Sequence, residues 1–138
     1  MEKIVSCSLS PDHYKADACI VWCFDDRFTP ALQEFVKSRG FQHYDLIKIA
    51  GGAKTMSSPQ FLADRDFLVR QIRASIALHQ APKVILMNHY DCGAYQGEKD
   101  KEKYIEELQL AKEHLLRALI DPIEIELLFV DFDAIYSI

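Results

Sequence analysis

The sequence predicts an α/β fold in which a doubly wound, mainly parallel sheet of four to five strands is flanked by helices. Short apolar runs alternate with amphipathic stretches of more than ten residues, which is typical of successive βαβ units. Glycine or proline closes each of these stretches. With 138 residues, the chain is long enough for one core and not comfortably for two. We therefore expect a single domain over residues 1–138.

The first βα unit follows a polar lead-in, residues 1–17, in which at most a short strand or helical turn at Ile4-Val5 is expected. The apolar run 18–23 predicts a buried first strand. Thr29-Pro30 is typical of a helix start, because threonine caps the first turn and proline suits its first position. Gly40 is typical of the end of that helix.

The second unit begins with an apolar strand at about residues 44–50. It runs into Gly51-Gly52, where two glycines permit backbone conformations that other residues avoid. Ser58-Pro59 can begin another helix, and a 3–4 spacing of apolar residues extends that helix to about Gln80. Ala81-Pro82 then ends it.

The third strand is predicted at residues 83–88, and a last strand at residues 123–132. Between them lies a helix with an apolar face, formed by Tyr104, Leu108, Ala111, Leu115 and Leu119. Right-handed crossovers between these units give the strand order 2-1-3-4. That order has its topological switch between strands one and three, where ligands bind at the carboxyl ends of the strands.

Charge and composition exclude several kinds of partner. The chain has 16 Lys and Arg against 21 Asp and Glu, a net charge of −5, with no basic cluster for nucleic acid or an anionic membrane. No apolar run approaches the roughly 20 residues that span a bilayer, and the N-terminus has no signal-peptide pattern. We expect a cytoplasmic protein with a small-molecule substrate.

Residues suited to metal binding follow strands one and three. The four cysteines suit metal binding or catalysis better than disulfides in such a protein. Cys23 ends the first strand, and His89 and Cys92 follow the third. Two thiolates and an imidazole form a Cys2His set, which zinc accepts in tetrahedral geometry with one position left open. Asp25 either fills that position or leaves it to water, and Arg27 is expected to pair with Asp25.

These residues also resemble a known family. Cys23-x-Asp25-x-Arg27 together with His89-x-x-Cys92-Gly93-Ala94 resembles the paired motif of the β-class carbonic anhydrases, and the resemblance extends over about residues 18–133. It implies that Cys23, His89 and Cys92 bind Zn2+. It also implies an aspartate–arginine pair in which the carboxylate accepts a hydrogen bond from zinc-bound hydroxide or moves onto the metal. The arginine keeps it away from the metal.

The activity that the resemblance implies is that of a zinc lyase, the reversible hydration of CO2 to bicarbonate. The family also implies a homodimer, or an oligomer built from dimers, with the active site near the subunit interface. Three residues depart from the usual pattern of the family: Asp26 replaces a serine, Asn88 a glycine and Tyr90 a small residue. The metal ligands remain, but the substrate is left open.

Two other functions therefore stay open. One is a related zinc hydrolase that acts on a CO2-like molecule, carbonyl sulfide or carbon disulfide. The other is a non-catalytic zinc protein in which Asp25 is a permanent fourth ligand. A thiol redox protein that uses Cys23 and Cys92 is a weaker alternative, because zinc would claim both thiolates.

Several residues near the motifs have structural interpretations. Asp91 is expected to cap a helix that starts near Gly93. Phe24 is expected to pack in the core, with the wall of the pocket as the alternative. His43, His79 and Tyr90 qualify as proton shuttles by residue type alone.

Overall fold

A five-stranded sheet with the order β2-β1-β3-β4-β5 forms the centre of the molecule. The computed structural model describes all residues, 1–138. The strands are β1 (Cys19–Trp22), β2 (Asp45–Lys48), β3 (Lys83–His89), β4 (Glu124–Val130) and β5 (Ile135–Ser137). The first four pair in parallel, and β5 pairs antiparallel with β4. The predicted fold class and strand order are confirmed, with β5 at the edge.

Helices cover both faces of the sheet. They are α1 (Thr29–Ser38), α2 (Lys54–Ser57), α3 (Leu62–His79) and α4 (Lys101–Ala118), with 3₁₀ turns at Asp26–Phe28 and Gly93–Tyr95. The apolar side chains of α1 pack in one buried cluster, and those of α2, α3 and α4 pack in a second. Alternate residues of β1 enter the two clusters, Ile20 and Trp22 on the α1 side and Val21 on the other. This is the period of two expected of a strand.

The boundaries of the second helical segment differ from the prediction. The long helix α3 begins at Leu62, not at Ser58-Pro59, and the short helix α2 precedes it. A proline disfavours helical dihedrals in the residue before it, and Ser58 accordingly has φ −136° and ψ 67°. At the other end of the chain, residues 1–17 form no helix or strand, so neither element expected at Ile4-Val5 is present.

A polar cluster fixes the end of the lead-in against the amino-terminal edge of the sheet. Asp45, the first residue of β2, accepts hydrogen bonds from the Tyr14 hydroxyl at 2.8 Å and contacts His79 Nδ1 at 2.8 Å. The Ala16 amide donates to the His79 carbonyl, and the Tyr14 ring stacks on His43. His43 and His79 therefore lie near the amino-terminal ends of the strands, whereas Cys23 and His89 lie at the carboxyl ends.

The loop after β2 lies against the carboxyl ends of β1 and β3. The Ala53 amide donates to the Met87 carbonyl at 3.0 Å. Gly52 has φ +55°, and a Cβ built there would lie 2.4 Å from the Met87 carbonyl oxygen and 3.1 Å from the Cys23 nitrogen. Only glycine allows this approach. None of the helices has the length and apolar character that crossing a membrane requires.

The contact at Gly52 predicts a large effect of a single methyl group. Gly52→Ala adds a left-handed backbone strain of about 1–2 kcal/mol to an overpacking cost of about 1–3 kcal/mol. Gly40→Ala is the matched control, because Gly40 also has positive φ but no atom lies within 4 Å of its Cβ position. Urea unfolding should show a loss for Gly52→Ala well above that for Gly40→Ala. Equal losses would contradict the close approach.

Candidate metal centre

Three potential metal ligands converge in a buried cluster at the carboxyl edge of the sheet. The ligand atoms of Cys23, His89 and Cys92 all lie within 4.8 Å of one another, and all three residues are buried. Cys23 follows the last residue of β1, and His89 is the last residue of β3. Because β1 and β3 pair in parallel, their carboxyl ends meet at one edge, which brings the first cysteine to the histidine.

The His89 ring is fixed by its neighbours, and one of its two nitrogens has no hydrogen-bond partner. Its Nδ1 lies 2.9 Å from the Tyr90 carbonyl oxygen, which can only accept, so Nδ1 carries the proton. Phe28 and Trp22 pack against the ring, with centroids at 4.2 and 5.7 Å. Nε2 is buried and has no hydrogen-bond partner. An unpaired buried acceptor costs about 1–3 kcal/mol, and a metal cation on Nε2 would remove that cost.

The two thiols have a spacing that suits zinc. Cys23 and Cys92 are free cysteines, and their Sγ atoms lie 3.8 Å apart. Two sulfurs each about 2.3 Å from a tetrahedral zinc ion would lie about 3.8 Å from each other. The hydrogen bond between the two sulfurs lowers the pKa of Cys23 and raises the pKa of Cys92. Cys23 is therefore the first of the two thiols to ionise, and Cys92 donates to its thiolate.

Asp25 lies beside this cluster and is bound by Arg27. Its carboxylate accepts hydrogen bonds from the Arg27 amide at 3.1 Å, from Nε at 3.0 Å and from Nη2 at 2.7 Å. Asp25 Oδ2 lies 3.9 Å from His89 Nε2. The hydrogen bonds from Arg27 hold the pKa of Asp25 below its usual range, so the carboxylate is ionised at neutral pH.

A second carboxylate also binds Arg27. Asp91 Oδ2 accepts from Arg27 Nη1 at 3.0 Å, and Asp91 Oδ1 accepts from Lys99 Nζ at 2.7 Å. The expectation that Asp91 caps a helix is wrong, because the turn at Gly93–Tyr95 has no side-chain cap. Asp91 has φ +55°, and its carboxylate is engaged by the two cations.

The arrangement of these residues agrees with the comparison of the whole chain to known families. The family model described as "Putative carbonic anhydrase" matches residues 14–137. The chain is a divergent member of the β-carbonic anhydrase family. The match covers every strand and helix of the structure. No curated protein matches the sequence of this chain.

Solved structures of β-carbonic anhydrases share the fold. Isoform I from Trichomonas vaginalis has a TM-score of 0.64 at 16% identity, with 96% of this chain and 87% of that chain covered. The carbonic anhydrase from Streptococcus mutans has a TM-score of 0.60 at 16% identity, with the same coverage of 96% and 87%. A β-carbonic anhydrase of Sordaria macrospora has a TM-score of 0.53 at 14% identity, covering 91% and 82%.

Phe24, Asp26 and Tyr90 are neighbours of the motif residues, and Phe24 departs from its expected packing. Phe24 is 62% exposed, so the expectation that it packs in the core is wrong. Asp26 is exposed and accepts a hydrogen bond from the Thr29 hydroxyl at 3.0 Å. The Tyr90 ring packs near Phe132 at 6.2 Å, and the carbonyl of Tyr90 orients His89.

Sequence patterns gave no signal for two contacts of the site. These are the Tyr90 carbonyl on His89 and the sharing of Arg27 between two aspartates. A backbone carbonyl is available at every residue, so its use leaves no trace in the sequence. The only visible sign of the second carboxylate is an aspartate between His89 and Cys92.

The cluster predicts binding of one zinc ion per chain. Loss of one ligand in His89→Ala or Cys92→Ala should lower zinc affinity by more than the roughly 10–100-fold typical of losing an outer-shell contact. Competition with a chromophoric chelator measures this. Cys7→Ala and Cys19→Ala are the controls, because neither cysteine belongs to the cluster. Equal losses in all four variants would contradict the assignment.

Zinc binding should also depend on pH. Zinc takes both sulfurs as thiolates, and the raised pKa of Cys92 keeps that thiol protonated at pH 7. Binding therefore releases about one proton, and affinity should rise roughly tenfold per pH unit near neutrality. Titration calorimetry in two buffers of different ionisation enthalpy measures the proton. Zinc binding without proton release would show that both thiols are already ionised.

Proposed function

We propose that this protein is a zinc-dependent carbonic anhydrase, a lyase that reversibly hydrates CO2 to bicarbonate, and that residues 1–138 act as one zinc-binding domain. Cys23, His89 and Cys92 would hold the metal. The observation that carries the proposal is the buried Nε2 of His89, which lacks a partner and lies within 4.8 Å of two free sulfurs. The family match supports CO2 as the substrate.

The donor set favours zinc among the common metals. Thiolates select soft or borderline metals, and a set of two sulfurs and one nitrogen is typical of zinc. Three protein ligands leave a fourth position open for catalysis. When bound, zinc would lower the pKa of water from about 15.7 to about 7 and so supply hydroxide near neutral pH.

Asp25 would orient the nucleophile. Its carboxylate lies beside the cluster, 3.9 Å from His89 Nε2, and its low pKa keeps it an acceptor at neutral pH. It would accept the hydrogen bond of hydroxide and direct a lone pair toward the carbon of CO2. Hydroxide held in this way would add to the carbon of CO2 and give bicarbonate, and the proton released when the next water molecule is ionised would pass to the buffer.

Arg27 would decide whether Asp25 is available for this role. The three donors of Arg27 occupy both oxygens of Asp25. A carboxylate bound in this way is not free to act as a metal ligand. This arrangement supports a catalytic centre over the non-catalytic alternative, in which Asp25 would be a permanent fourth ligand.

We also propose that the protein forms a homodimer or an oligomer built from dimers. Large apolar side chains that would be buried by such an interface are exposed, among them Phe24, Phe61, Leu62 and Phe67. The related Sordaria macrospora enzymes are described as tetrameric.

Stopped-flow CO2 hydration by the zinc-loaded protein tests the proposed activity. Asp25→Ala should lower kcat/KM on the order of 100-fold or more, because a positioned carboxylate contributes at least that much to proton and hydroxide chemistry. Asp26→Ala is the matched control: it removes the neighbouring carboxylate, which is exposed and contacts Thr29. Its rate should equal that of the wild type.

One result would overturn the proposed function, and another would overturn the role assigned to Asp25. The first is a zinc-loaded protein that gives no rate above buffer at pH 7 and again near pH 9. The second is an equal loss of rate in Asp25→Ala and Asp26→Ala, which would remove the assigned role of Asp25.

A further inference from the structure

We propose that Asp91, held by Lys99, is a positioning residue that fixes the Arg27 guanidinium and so keeps Asp25 away from the metal position. This inference rests on the proposed function, because it concerns the same centre. It adds a second carboxylate to the aspartate–arginine pair, from the loop that follows His89 at the end of β3 and contains Cys92.

The contacts of Arg27 divide between two edges of its guanidinium. Nε and Nη2 donate to Asp25 at 3.0 and 2.7 Å. Nη1 donates to Asp91 Oδ2 at 3.0 Å, and Nη2 also donates to the Asp91 carbonyl at 3.0 Å. A planar guanidinium anchored on two edges cannot rotate without breaking hydrogen bonds on both.

Arg27 needs a second anchor because it is half-exposed. Its side chain is 51% accessible, whereas that of Asp25 is 21% accessible. A single ion pair on an exposed side chain contributes little and leaves the long side chain free to sample other rotamers. The contact with Asp91 removes this freedom, so the donors of Arg27 stay aligned on Asp25.

Lys99 supplies the second positive charge that balances the two carboxylates around Arg27. Two carboxylates on one guanidinium would leave one negative charge unpaired, but Lys99 Nζ binds the other oxygen of Asp91 at 2.7 Å. Asp91 thus presents one oxygen to each cation. The cluster contains two carboxylates and two cations, which favours its closed network of hydrogen bonds.

The backbone of Asp91 allows a clean test of its charge. Asp91 has φ +55°, a conformation that aspartate and asparagine adopt more readily than other non-glycine residues. Asp91→Asn therefore keeps the loop and removes the charge. Asp131→Asn is the matched control, since Asp131 pairs with Lys101 and makes no contact with Arg27.

The lysines offer a second matched pair. Lys99 and Lys101 both lie over the Tyr90 ring, at 5.7 and 5.4 Å from its centroid. Only Lys99 binds Asp91. Lys99→Met should therefore loosen Arg27 in the same direction as Asp91→Asn, and Lys101→Met should leave it unchanged.

The first measurement follows the Arg27 side chain in the metal-free protein. The Nε–H resonance of Arg27, assigned by its loss in Arg27→Lys, reports exchange of that proton with water. We expect exchange roughly tenfold faster in Asp91→Asn, as for loss of a charge-assisted hydrogen bond, a smaller acceleration in Lys99→Met, and no change in Asp131→Asn or Lys101→Met.

The second measurement follows the metal position with Co2+ in place of zinc and thiocyanate as the probe anion. Freed from Arg27, Asp25 competes with thiocyanate for the open position, so thiocyanate affinity should fall roughly tenfold in Asp91→Asn and stay unchanged in Asp131→Asn. The visible absorption of Co2+ reports both binding and a change of ligand set.

The outcomes separate this inference from the proposed function. Arg27 exchange in Asp91→Asn equal to that in Asp131→Asn overturns the inference. Faster exchange with unchanged thiocyanate affinity also overturns it, because Asp25 would then not depend on Asp91. If Asp91→Asn does not fold, the comparison of Lys99→Met with Lys101→Met decides. If the variants respond as expected but the zinc-loaded wild type does not hydrate CO2, the proposed function is overturned and this inference stands.

Discussion

Parallel pairing of β1 with β3 is the constraint on which the rest of the site depends. It brings the residue after β1 to the last residue of β3, so that a thiol and an imidazole from distant parts of the sequence share one buried edge. Gly52 lets the loop after β2 close against the same edge. Phe28 and Trp22, on the α1 face, fix the plane of the His89 ring. The core and the site are therefore one packing arrangement.

The electrostatics of the site divide into a buried and an exposed part. In the buried part, two sulfurs and an unprotonated nitrogen form a donor set that suits a metal cation. In the exposed part, Arg27 lies between Asp25 and Asp91 and forms an ion pair with each of them. Because Arg27 satisfies Asp25, the carboxylate remains next to the buried set without joining it. In the proposed zinc centre, this separation would leave a fourth metal position for chemistry.

Much of this arrangement could be predicted from the sequence, and the remainder has identifiable physical reasons. The apolar runs and the placement of cysteine, histidine and aspartate at strand ends predicted the strand order and the residues that cluster. The predicted helix start at Ser58-Pro59 was wrong because Ser58 has non-helical dihedral angles, and α3 begins only at Leu62. The contacts of Asp91 depend on a left-handed backbone and on Lys99, eight residues later in an irregular loop. Neither feature has a periodic signal.

The zinc X-ray absorption spectrum of the loaded protein tests the three metal ligands, because it reports the ligand shell without requiring activity. We expect two sulfur atoms at about 2.3 Å, one imidazole nitrogen at about 2.0–2.1 Å and one further light atom. A shell of four nitrogen or oxygen atoms, or one with a single sulfur, would contradict the assignment of Cys23, His89 and Cys92 as the metal ligands.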